Sequence, residues 1–461
     1  MIEVTGFRNE AVAVLGLARS GLVAAEALQQ GGARVLAWDD AAGKREAAAS
    51  AGLPIVDLAG RDLGGVKALV LSPGIPHSFP KPHPVASRAR AAGAEIIGDI
   101  ELLARSCPEA RFVGITGTNG KSTTTALIGH ILERARRSVA VGGNLGTPAL
   151  ALARLSAEGF YVLELSSYQL ELTESLGCEV AVLLNITPDH LDRHGGMAGY
   201  VAAKRRIFGT RRRARAAVIG LDDAPCREIA TELAAGGAIG VIPISAEARA
   251  PGGVYIESGR LIDDMEGRAS PVLELGELAR LPGRHNAQNA AAAYAATRRL
   301  GLAPGEIVAG LRSFPGLAHR QELIAVVDGI RYINDSKATN ADAAAKALAC
   351  YDDIYWIAGG IAKAGGIASL AAYFPRIRHA FLIGEAAAEF ARTLEGRVPF
   401  SRSGDLATAL AAAREAALAA TRPGAVALLS PACASFDQFT DFEQRGEVFR
   451  RLVTALPGRR S

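Results

Sequence analysis

The strongest chemical signal in this sequence is a glycine-rich stretch, Gly114 to Ser122, between an apolar run and a helical pattern. Glycines in that context let backbone N–H groups point at a phosphate, while a lysine reaches the β- and γ-phosphates and a serine hydroxyl binds Mg²⁺. The standard spacing asks for glycine at position 115, where this chain has Ile115 and instead carries an extra glycine inside the loop. We predict a phosphate-binding loop rather than an ordinary strand–turn–helix. Its residues are Gly117, Thr118, Asn119, Gly120, Lys121, Ser122 and Thr123.

Polar residues follow two other apolar runs in the same part of the chain. Glu164 ends one run and His190 follows another, at places that correspond to the C-terminal ends of parallel strands. A buried glutamate needs a counter-charge, and Mg²⁺ beside a phosphate loop would supply it. Glu164 and His190 are therefore candidate metal ligands. Lys204 lies in a helical stretch, and its pattern predicts a surface lysine.

A second glycine turn, Gly16 to Gly21, follows the first apolar strand, and Asp39 ends the strand after it. This pattern resembles a dinucleotide-binding turn, with a carboxylate placed for a ribose hydroxyl. Ala18 occupies the position where a pyrophosphate approaches the backbone, which argues against NAD. Two alternatives stay open, namely a nucleotide held in another way and a tight turn without a ligand.

Small and polar residues end three apolar strands near the C-terminus. These stretches are Asn334–Asn340, Gly359–Lys363 and Ser430–Asp437. Arg320, Lys337 and Lys363 give this edge positive charge, which suits an anionic substrate. Cys433 has no histidine or other base beside it, so we interpret it as a buried small apolar residue and not as a nucleophile.

Apolar strand patterns alternate with helical stretches along the chain, which predicts parallel sheets. The predicted strands cover 11–16, 34–38, 67–71, 111–116, 138–141, 161–165, 179–185, 323–327, 331–334, 354–358, 380–383 and 425–429. Linkers near 107–109 and 314–316 separate three segments. The predicted fold class is α/β with three domains. They are an N-terminal Rossmann-like domain (1–107), a central phosphate-loop ATPase-like parallel sheet (108–315) and a C-terminal doubly wound α/β domain (316–461).

Length and composition exclude several classes of protein. At roughly 100–200 residues per domain, 461 residues suit two to four domains, and 49% hydrophobic residues exclude a disordered chain. The 51 basic and 47 acidic residues are nearly balanced, so no nucleic-acid partner is expected. Five scattered cysteines predict neither a disulfide framework nor a zinc site and suit a reducing compartment. Without a signal-type N-terminus or a long apolar run, we expect a cytoplasmic protein with no membrane insertion.

The stretch from Gly114 to Thr123 resembles the phosphate loop of the Mur ligases, which are ATP-dependent amino-acid ligases of peptidoglycan precursor synthesis. The resemblance covers essentially the whole chain. Four stretches are similar to the members that add D-glutamate to UDP-N-acetylmuramoyl-L-alanine. They are Gly16–Gly21, Pro282–Asn286, Asn334–Asn340 and Ser430–Phe439.

The resemblance implies a UDP-substrate domain (1–107), an ATP domain (108–315) and a D-glutamate domain (316–461). Positions that would contact the UDP-substrate are Asp39, Ser72 and Asn144. Positions that would contact the nucleotide, besides the loop, are Asn289, Arg320 and Asp335. Positions that would contact D-glutamate are Lys337, Thr339, Lys363, Ser435, Phe436 and Phe442. One departure is Ile361, because many members of the family carry aspartate there.

The resemblance also implies two Mg²⁺ ions. One would lie near Ser122 and Glu164, and the other near His190 and a carbamylated lysine, which here would be Lys204. Carbamylation turns a cationic side chain into an anionic oxygen ligand. Lys121, Glu164, His190 and Lys204 are the residues to which the resemblance gives a catalytic role.

The implied reaction passes through an acyl phosphate and uses only small-molecule substrates, and we expect a monomer. Another ligase of the same superfamily, such as folylpolyglutamate synthase or a different Mur ligase, is the nearest alternative. About 100 residues before the phosphate loop argue against a folate ligase. A nucleotide-regulated binding protein without catalysis and a Rossmann oxidoreductase are the two alternatives from other classes.

Overall fold

The computed structural model describes residues 1–278, 280–363, 365–420 and 424–460. The chain packs as two compact units. One comprises Met1–Leu278 and Asn286–Phe314, and the other comprises Ala279–His285 and Pro315–Ser461. The finer division into three domains, with a boundary near residue 107, stays a prediction.

The first unit begins with a small parallel sheet. Its strands are β1 (Ala11–Leu15), β2 (Arg34–Trp38), β3 (Val66–Leu71) and β4 (Glu95–Ile97). Its helices are α1 (Arg19–Gln30), α2 (Ala42–Ser50), α3 (Pro84–Ala91) and α4 (Asp99–Ser106). The strands lie in the order β2-β1-β3-β4, and every pair is parallel. This arrangement confirms the Rossmann-like prediction for the N-terminal segment.

Two glycines allow the turn after β1 to pack closely. Gly16 has a φ of +91°, a conformation that favours glycine. A Cβ on Gly21 would lie only 1.8 Å from the carbonyl oxygen of Gly16. The hydroxyl of Ser72, just after β3, donates to that same oxygen at 2.8 Å. The turn is thus a tight strand-to-helix connection held from the neighbouring strand.

The first unit continues with a larger sheet. Its strands are β5 (Arg111–Thr116), β6 (Val139–Gly143), β7 (Phe160–Glu164), β8 (Cys178–Leu183), β9 (Ala216–Gly220), β10 (Gly240–Ser245), β11 (Val254–Glu257), β12 (Arg260–Asp263) and β13 (Ser270–Glu274). Within the described ranges the order is β13-β12-β11-β10-β9-β8-β5-β7-β6. Strand β12 is antiparallel to both of its neighbours, and the other pairs are parallel. Because β5 lies between β7 and β8, the segments that follow these three strands meet at one edge of the sheet.

Helices cover this sheet and make most of the connections. They are α5 (Lys121–Arg134), α6 (Ser167–Glu171), α7 (Leu191–His194), α8 (Met197–Arg205), α9 (Ala224–Gly236), α10 (Arg284–Arg299) and α11 (Pro304–Ser313). Strands β5, β7 and β8 are almost wholly buried, as expected for a parallel sheet with helices on its faces.

The second unit holds a third sheet. Its strands are β14 (Glu322–Val327), β15 (Ile330–Asn334), β16 (Ile354–Gly359), β17 (Ile377–Ile383), β18 (Phe400–Gly404) and β19 (Val426–Leu429), and its helices are α12 (Ala341–Leu348), α13 (Ala387–Leu394), α14 (Leu406–Ala420) and α15 (Phe442–Thr454). In the described residues the order is β14-β15-β19-β16-β17-β18, and only β14 runs antiparallel to its neighbour. Short 3₁₀ helices complete both units: Thr5–Phe7, Ala149–Ala151, Arg206–Phe208, Leu275–Glu277 and Ala368–Arg376.

The α/β fold class is confirmed, and each predicted strand is present with ends shifted by at most three residues. Strand β4, the strands from β9 to β13, and β18 were not predicted from the sequence. Among the described residues, no helix is both long enough and apolar enough to cross a membrane.

Candidate active site

The phosphate loop lies between β5 and α5, where the sequence predicts it. Gly117 and Gly120 have φ values of +154° and +83°, and Gly120 begins α5 from the left-handed region. A Cβ on Gly120 would lie 2.2 Å from the side-chain oxygen of Asn289, so a larger residue there would displace Asn289. The structure therefore brings Asn289, which the family resemblance places at the nucleotide, against the loop.

Lys121 folds back over the loop in this structure. Its Nζ donates to the carbonyl oxygens of Gly117 and Thr118, each at 2.9 Å. The amine is thus held at the mouth of the loop, where a phosphate would compete with neutral carbonyls for its charge.

The segment after β8 holds the loop from one side. Asn185 accepts from the backbone N–H of Thr118 through its carbonyl and from that of Asn119 through its side chain, both at 2.8 Å. The hydroxyl of Thr118 in turn accepts from the N–H of Thr187 at 3.0 Å. The amide of Asn185 also donates to Gln288 of α10 at 3.1 Å. These contacts fix the backbone of the loop before any ligand binds.

Lys204 is buried, so its interpretation as a surface lysine is wrong. The side chain is in α8, the residue is only 1% exposed, and Nζ donates to the carbonyl oxygen of Gly117 at 2.7 Å. Burial, and then the positive charge of Lys121, lower the pKa of Lys204 well below its usual value. The sequence did hold a signal for this burial. Tyr200 lies four residues before Lys204 and Ile207 three residues after it, a spacing that puts all three on one helix face, and both are buried.

Glu164 ends β7, one strand away from the loop, and its two carboxylate oxygens have different surroundings. Oε1 accepts from the side-chain amide of Asn144 at 2.6 Å. Oε2 is buried, and no described residue gives it a hydrogen bond. An ionised oxygen in that position is costly without a cation, and carboxylate and hydroxyl oxygens are ligands that Mg²⁺ prefers. With Ser122 buried in the first turn of α5, these residues fit one Mg²⁺.

His190 is less completely enclosed. Its φ is +51°, and its imidazole is half exposed, 3.4 Å from Asp189 and 5.2 Å between ring centroids from Tyr168. Across the described ranges, no group of three or more His, Cys, Asp or Glu side chains gathers to hold a metal. A second ion would therefore need a ligand outside those residue types, and a carbamate on Lys204 would be one.

Tyr200 is a site residue that the sequence analysis missed. Its ring lies 4.6 Å from Nζ of Lys204, and its hydroxyl is 3.2 Å from the hydroxyl of Thr118. Burial raises the pKa of Tyr200 to about 12, so the phenol stays protonated and can donate to the loop.

The predicted UDP-substrate residues lie in two places. Asp39 is buried, and its carboxylate accepts from the backbone N–H groups of Leu17 at 2.7 Å and Ala41 at 2.9 Å. Asn144 does not belong to the small sheet. It follows β6 of the large sheet and contacts Glu164. The two places are connected, because Arg19 of the first turn donates to the carbonyl oxygen of Gly146.

In the second unit, the three predicted strand-end stretches come together. Strand β19 lies between β15 and β16, and Ile361 pairs with Ala434 through two backbone hydrogen bonds of 2.9 and 3.0 Å. Lys337 lies 3.6 Å from the ring centroid of Phe442. Ser435 and Cys433 are buried, the latter as predicted, whereas Lys363 is exposed and Phe436 is 71% exposed. Thr339 is half-buried, and its backbone N–H donates to the carbonyl oxygen of Lys337 at 2.9 Å.

Asp335 is the most perturbed carboxylate of this unit. It accepts from the hydroxyl of Ser430 at 2.7 Å and from the N–H of Gln321, beside Arg320, at 3.1 Å. Burial raises its pKa to about 7 despite these hydrogen bonds. Arg320 and Asp335 thus lie in one local cluster of the second unit.

Arg445 of α15 joins two of the stretches, and the sequence analysis missed it. Its Nε donates to the hydroxyl of Ser336 at 3.0 Å, and its Nη2 donates to the carbonyls of Ser336 and Cys433 at 2.8 and 3.2 Å. The guanidinium is buried, which lowers its pKa to about 10. The spacing to Phe442 and Phe449 in α15 places Arg445 on a helix face shared with two aromatic residues.

Comparison with known proteins identifies the family. Residues 115–297 match the Mur ligase middle domain, and residues 319–433 match the Mur ligase glutamate ligase domain. Together these ranges cover more than half of the chain. The chain belongs to the Mur ligase family.

This Mur ligase is similar over its whole length to curated enzymes. It is 56% identical over 456 residues to the UDP-N-acetylmuramoylalanine–D-glutamate ligase of Paramagnetospirillum magneticum, covering 99% of each chain. It is 54% identical to the protein of the same name from Rhodospirillum rubrum, covering 99% of this chain and 97% of the relative. Within the Mur ligases, the chain therefore belongs with the UDP-N-acetylmuramoylalanine–D-glutamate ligases.

Solved structures support the fold. MurC of Thermotoga maritima aligns with a TM-score of 0.60 at 17% identity, covering 97% of this chain and 99% of that chain. MurF of the same organism, solved in complex with ADP, aligns with a TM-score of 0.55 at 17% identity, covering 85% and 90%. At such low identity these structures support the fold of this Mur ligase and not its substrate.

The unsatisfied oxygen of Glu164 predicts a metal-binding defect. Glu164→Gln keeps the contact with Asn144 but removes the negative charge. The affinity for Mn²⁺ in the presence of ADP should therefore fall by at least about 10-fold, because even the loss of a residue that only supports a metal ligand weakens metal binding by about that much. Electron paramagnetic resonance titration of Mn²⁺ would measure the change.

Glu179→Gln is the matched control, because Glu179 is on β8 of the same sheet and pairs only with Arg111 and Arg215 in the ion pairs of the described residues. Equal Mn²⁺ affinities in the wild type and in Glu164→Gln would contradict the assignment.

Proposed function

We propose that this Mur ligase joins the amine of D-glutamate to the L-alanine carboxylate of UDP-N-acetylmuramoyl-L-alanine, using ATP, in peptidoglycan precursor synthesis. The observation that carries the proposal is its 49–56% identity, over nearly the full length, to curated ligases of that name. The phosphate loop, together with the buried side chains of Lys204 and Glu164, supports the ATP-dependent part of the reaction.

The chemistry needs no protein nucleophile. A carboxylate oxygen of the UDP-substrate attacks the γ-phosphorus of ATP, ADP leaves, and an acyl phosphate forms. The amine of D-glutamate then attacks the carbonyl carbon, the amine loses a proton, and inorganic phosphate leaves. Because the first step brings two anions together, the protein must position them and offset their repulsion.

Lys121 is the residue best placed to offset that repulsion. Its amine donates to two carbonyl oxygens of the loop, at 2.9 Å each, and would exchange them for phosphate oxygens when nucleotide binds. The N–H groups of Thr118 and Asn119 already donate to Asn185, so the backbone donors to the phosphate would come from the start of α5, where Gly120 turns the chain into the helix.

Two Mg²⁺ ions would supply further positive charge at the phosphates and the attacking carboxylate. Ser122 and Glu164 would hold one ion, and the buried Oε2 of Glu164 supports this assignment. His190 and a carbamylated Lys204 would hold the other.

The surroundings of Lys204 support its carbamylation. The nitrogen lone pair of a neutral amine attacks the carbon of CO₂, a proton leaves, and an anionic carbamate results. A protonated lysine has no lone pair for this step, but burial keeps the pKa of Lys204 well below its usual value. The carbamate nitrogen keeps one hydrogen, which can still donate to Gly117.

The remaining residues divide among three substrates. We assign Asp39, Ser72 and Asn144 to the UDP-substrate, and Asn289, Arg320 and Asp335 to the nucleotide. We assign Lys337, Thr339, Lys363, Ser435, Phe436 and Phe442 to D-glutamate, whose two carboxylates suit the lysines. Domains 1–107, 108–315 and 316–461 would carry these sites. We also propose that the enzyme acts as a monomer in the cytoplasm, and its five free cysteines fit a reducing compartment.

A phosphate-release assay tests the function. With ATP, Mg²⁺ and UDP-N-acetylmuramoyl-L-alanine, the enzyme should release phosphate with D-glutamate and much more slowly with L-glutamate, L-alanine or a diamino acid. Lys121→Ala should lose about 10²–10³-fold or more in rate, the size of effect expected for a principal electrostatic contact.

Phosphate release that needs no amino acid would contradict ligase activity and favour a nucleotide-regulated binding protein. If the enzyme prefers another amino acid, it is a Mur ligase with a different substrate.

The acceptor site is tested at Ser435, which is buried at the joined strand ends of the second unit. Losing a hydrogen bond to a charged group costs roughly 1.5–3 kcal/mol, so Ser435→Ala should raise the KM for D-glutamate by about 10–100-fold. The KM for ATP should change little. Ser369→Ala, at an exposed position of the same unit, is the control. An unchanged KM for D-glutamate with a raised KM for ATP would place the acceptor site elsewhere.

A further inference from the structure

Glu171, the last residue of α6, has polar contacts with three other side chains. Its Oε1 is 2.8 Å from Nδ1 of His194, and its Oε2 is 3.1 Å from Nε2 of His77. Nη1 of Arg193 lies 3.6 Å from the same Oε2. Although burial opposes ionisation, the hydrogen bonds from His194 and His77 lower the pKa of Glu171 to about 2, so the carboxylate is charged at neutral pH.

One side of this cluster belongs to the loop between β3 and α3, residues 72–83. His77 is in this β3–α3 loop, and Arg193 also donates to the carbonyl oxygen of Ile75 in it at 3.1 Å. The ring of Phe79 packs against Gly195, where an added Cβ would lie 3.0 Å from the ring. The same loop begins at Ser72, which holds the Gly16 turn. Glu171 and Arg193, which follow strands of the large sheet, therefore hold the β3–α3 loop of the small sheet in place.

The other side of the cluster leads to the phosphate loop. His194 is buried, and its Nε2 is 2.9 Å from the hydroxyl of Ser167. Its ring lies 5.3 Å from that of Tyr200. Tyr200 in turn contacts Thr118 of the phosphate loop and Lys204. A continuous series of contacts thus runs from His77 through Glu171, His194 and Tyr200 to the residues around the nucleotide phosphates.

We infer that Glu171 is a positioning residue that couples the UDP-substrate site to the nucleotide and metal site. This inference rests on the proposed function, which assigns Asp39 and Ser72, after β2 and β3 of the small sheet, to the UDP-substrate. A UDP-substrate that keeps the β3–α3 loop in this arrangement would hold His77 and Arg193 against Glu171, and Glu171 would hold His194 against Tyr200. Binding of UDP-substrate then favours the arrangement of Thr118 and Lys204 that binds nucleotide, and by linkage the effect is reciprocal.

A purely structural ion pair would behave differently. Loss of such an ion pair would lower the melting temperature and could weaken the binding of either ligand. It would leave unchanged the ratio between the nucleotide affinities measured with and without UDP-substrate. The ratio is therefore the quantity that separates coupling from stability.

The experiment measures ADP binding by isothermal titration calorimetry at fixed Mg²⁺, with and without saturating UDP-N-acetylmuramoyl-L-alanine. ADP replaces ATP so that no reaction occurs. In the wild type the UDP-substrate should tighten ADP binding at least about 5-fold, the lower end of typical coupling factors. In Glu171→Gln the factor should fall below about 2-fold. Glu174→Gln, three residues further on and paired with Arg211 at the surface, should keep the wild-type factor.

His77→Ala provides a second variant if Glu171→Gln does not fold. It removes the contact between His77 and Glu171 on the small-sheet side, so the coupling factor should fall while ADP affinity without UDP-substrate stays within about 2-fold of the wild type. Absence of UDP-substrate binding to the wild type would overturn the proposed function. Binding with no coupling in the wild type, or equal coupling factors in the wild type and both variants, would overturn the inference about Glu171 alone.

Discussion

The buried hydrogen bond from Lys204 to the carbonyl oxygen of Gly117, at 2.7 Å, is the interaction on which the site depends. Lys121 donates to the same oxygen, so two amines meet at one carbonyl of the phosphate loop. Two ammonium groups at such close range repel each other, and a buried one also loses its hydration. Burial, and then the charge of Lys121, lower the pKa of Lys204 well below its usual value, and Lys121 is the less buried of the two amines.

A second constraint lies at Glu164. Its Oε2 is buried, and no described residue, Lys204 included, gives it a hydrogen bond. This oxygen is the ligand that we assign to the proposed Mg²⁺. Tyr200 places its ring against Lys204 and its hydroxyl beside Thr118, so one side chain supports both the lysine and the loop. Protein contacts thus hold both the phosphate loop and Lys204 in place.

The elements that could be predicted from the sequence are those with a local signal. The phosphate loop was found because glycines, lysine and serine follow an apolar strand, and β5, β7 and β8 were found because buried parallel strands are continuous apolar runs. Strands β11 and β12 were missed because they are short and mixed in polarity. Ser258 and Gly259 between them both have positive φ, as a tight hairpin turn requires, so this dipeptide was the available signal.

The residues that were missed at the site depend on contacts distant in sequence. Lys204 is buried by a loop 87 positions away, and Arg445 is buried by carbonyls of Ser336 and Cys433. A charged side chain in a helix predicts a surface position unless its partners are known, because the cost of burial is offset only by those partners. The resemblance to Mur ligases named Lys204 as functional, but only the structure shows that burial, and then the charge of Lys121, lower the pKa of its amine.

The most direct test of this explanation is whether Lys204 carries a carbamate. Enzyme equilibrated with ¹³C-bicarbonate should show a carbamate carbon resonance in its ¹³C NMR spectrum, and the resonance should persist in Lys121→Ala and disappear in Lys204→Ala. Short-chain carboxylic acids, which can occupy the place of the carbamate, should restore part of the activity that Lys204→Ala loses. A wild-type enzyme that is fully active without bicarbonate and shows no such resonance would contradict the proposal that Lys204 is carbamylated.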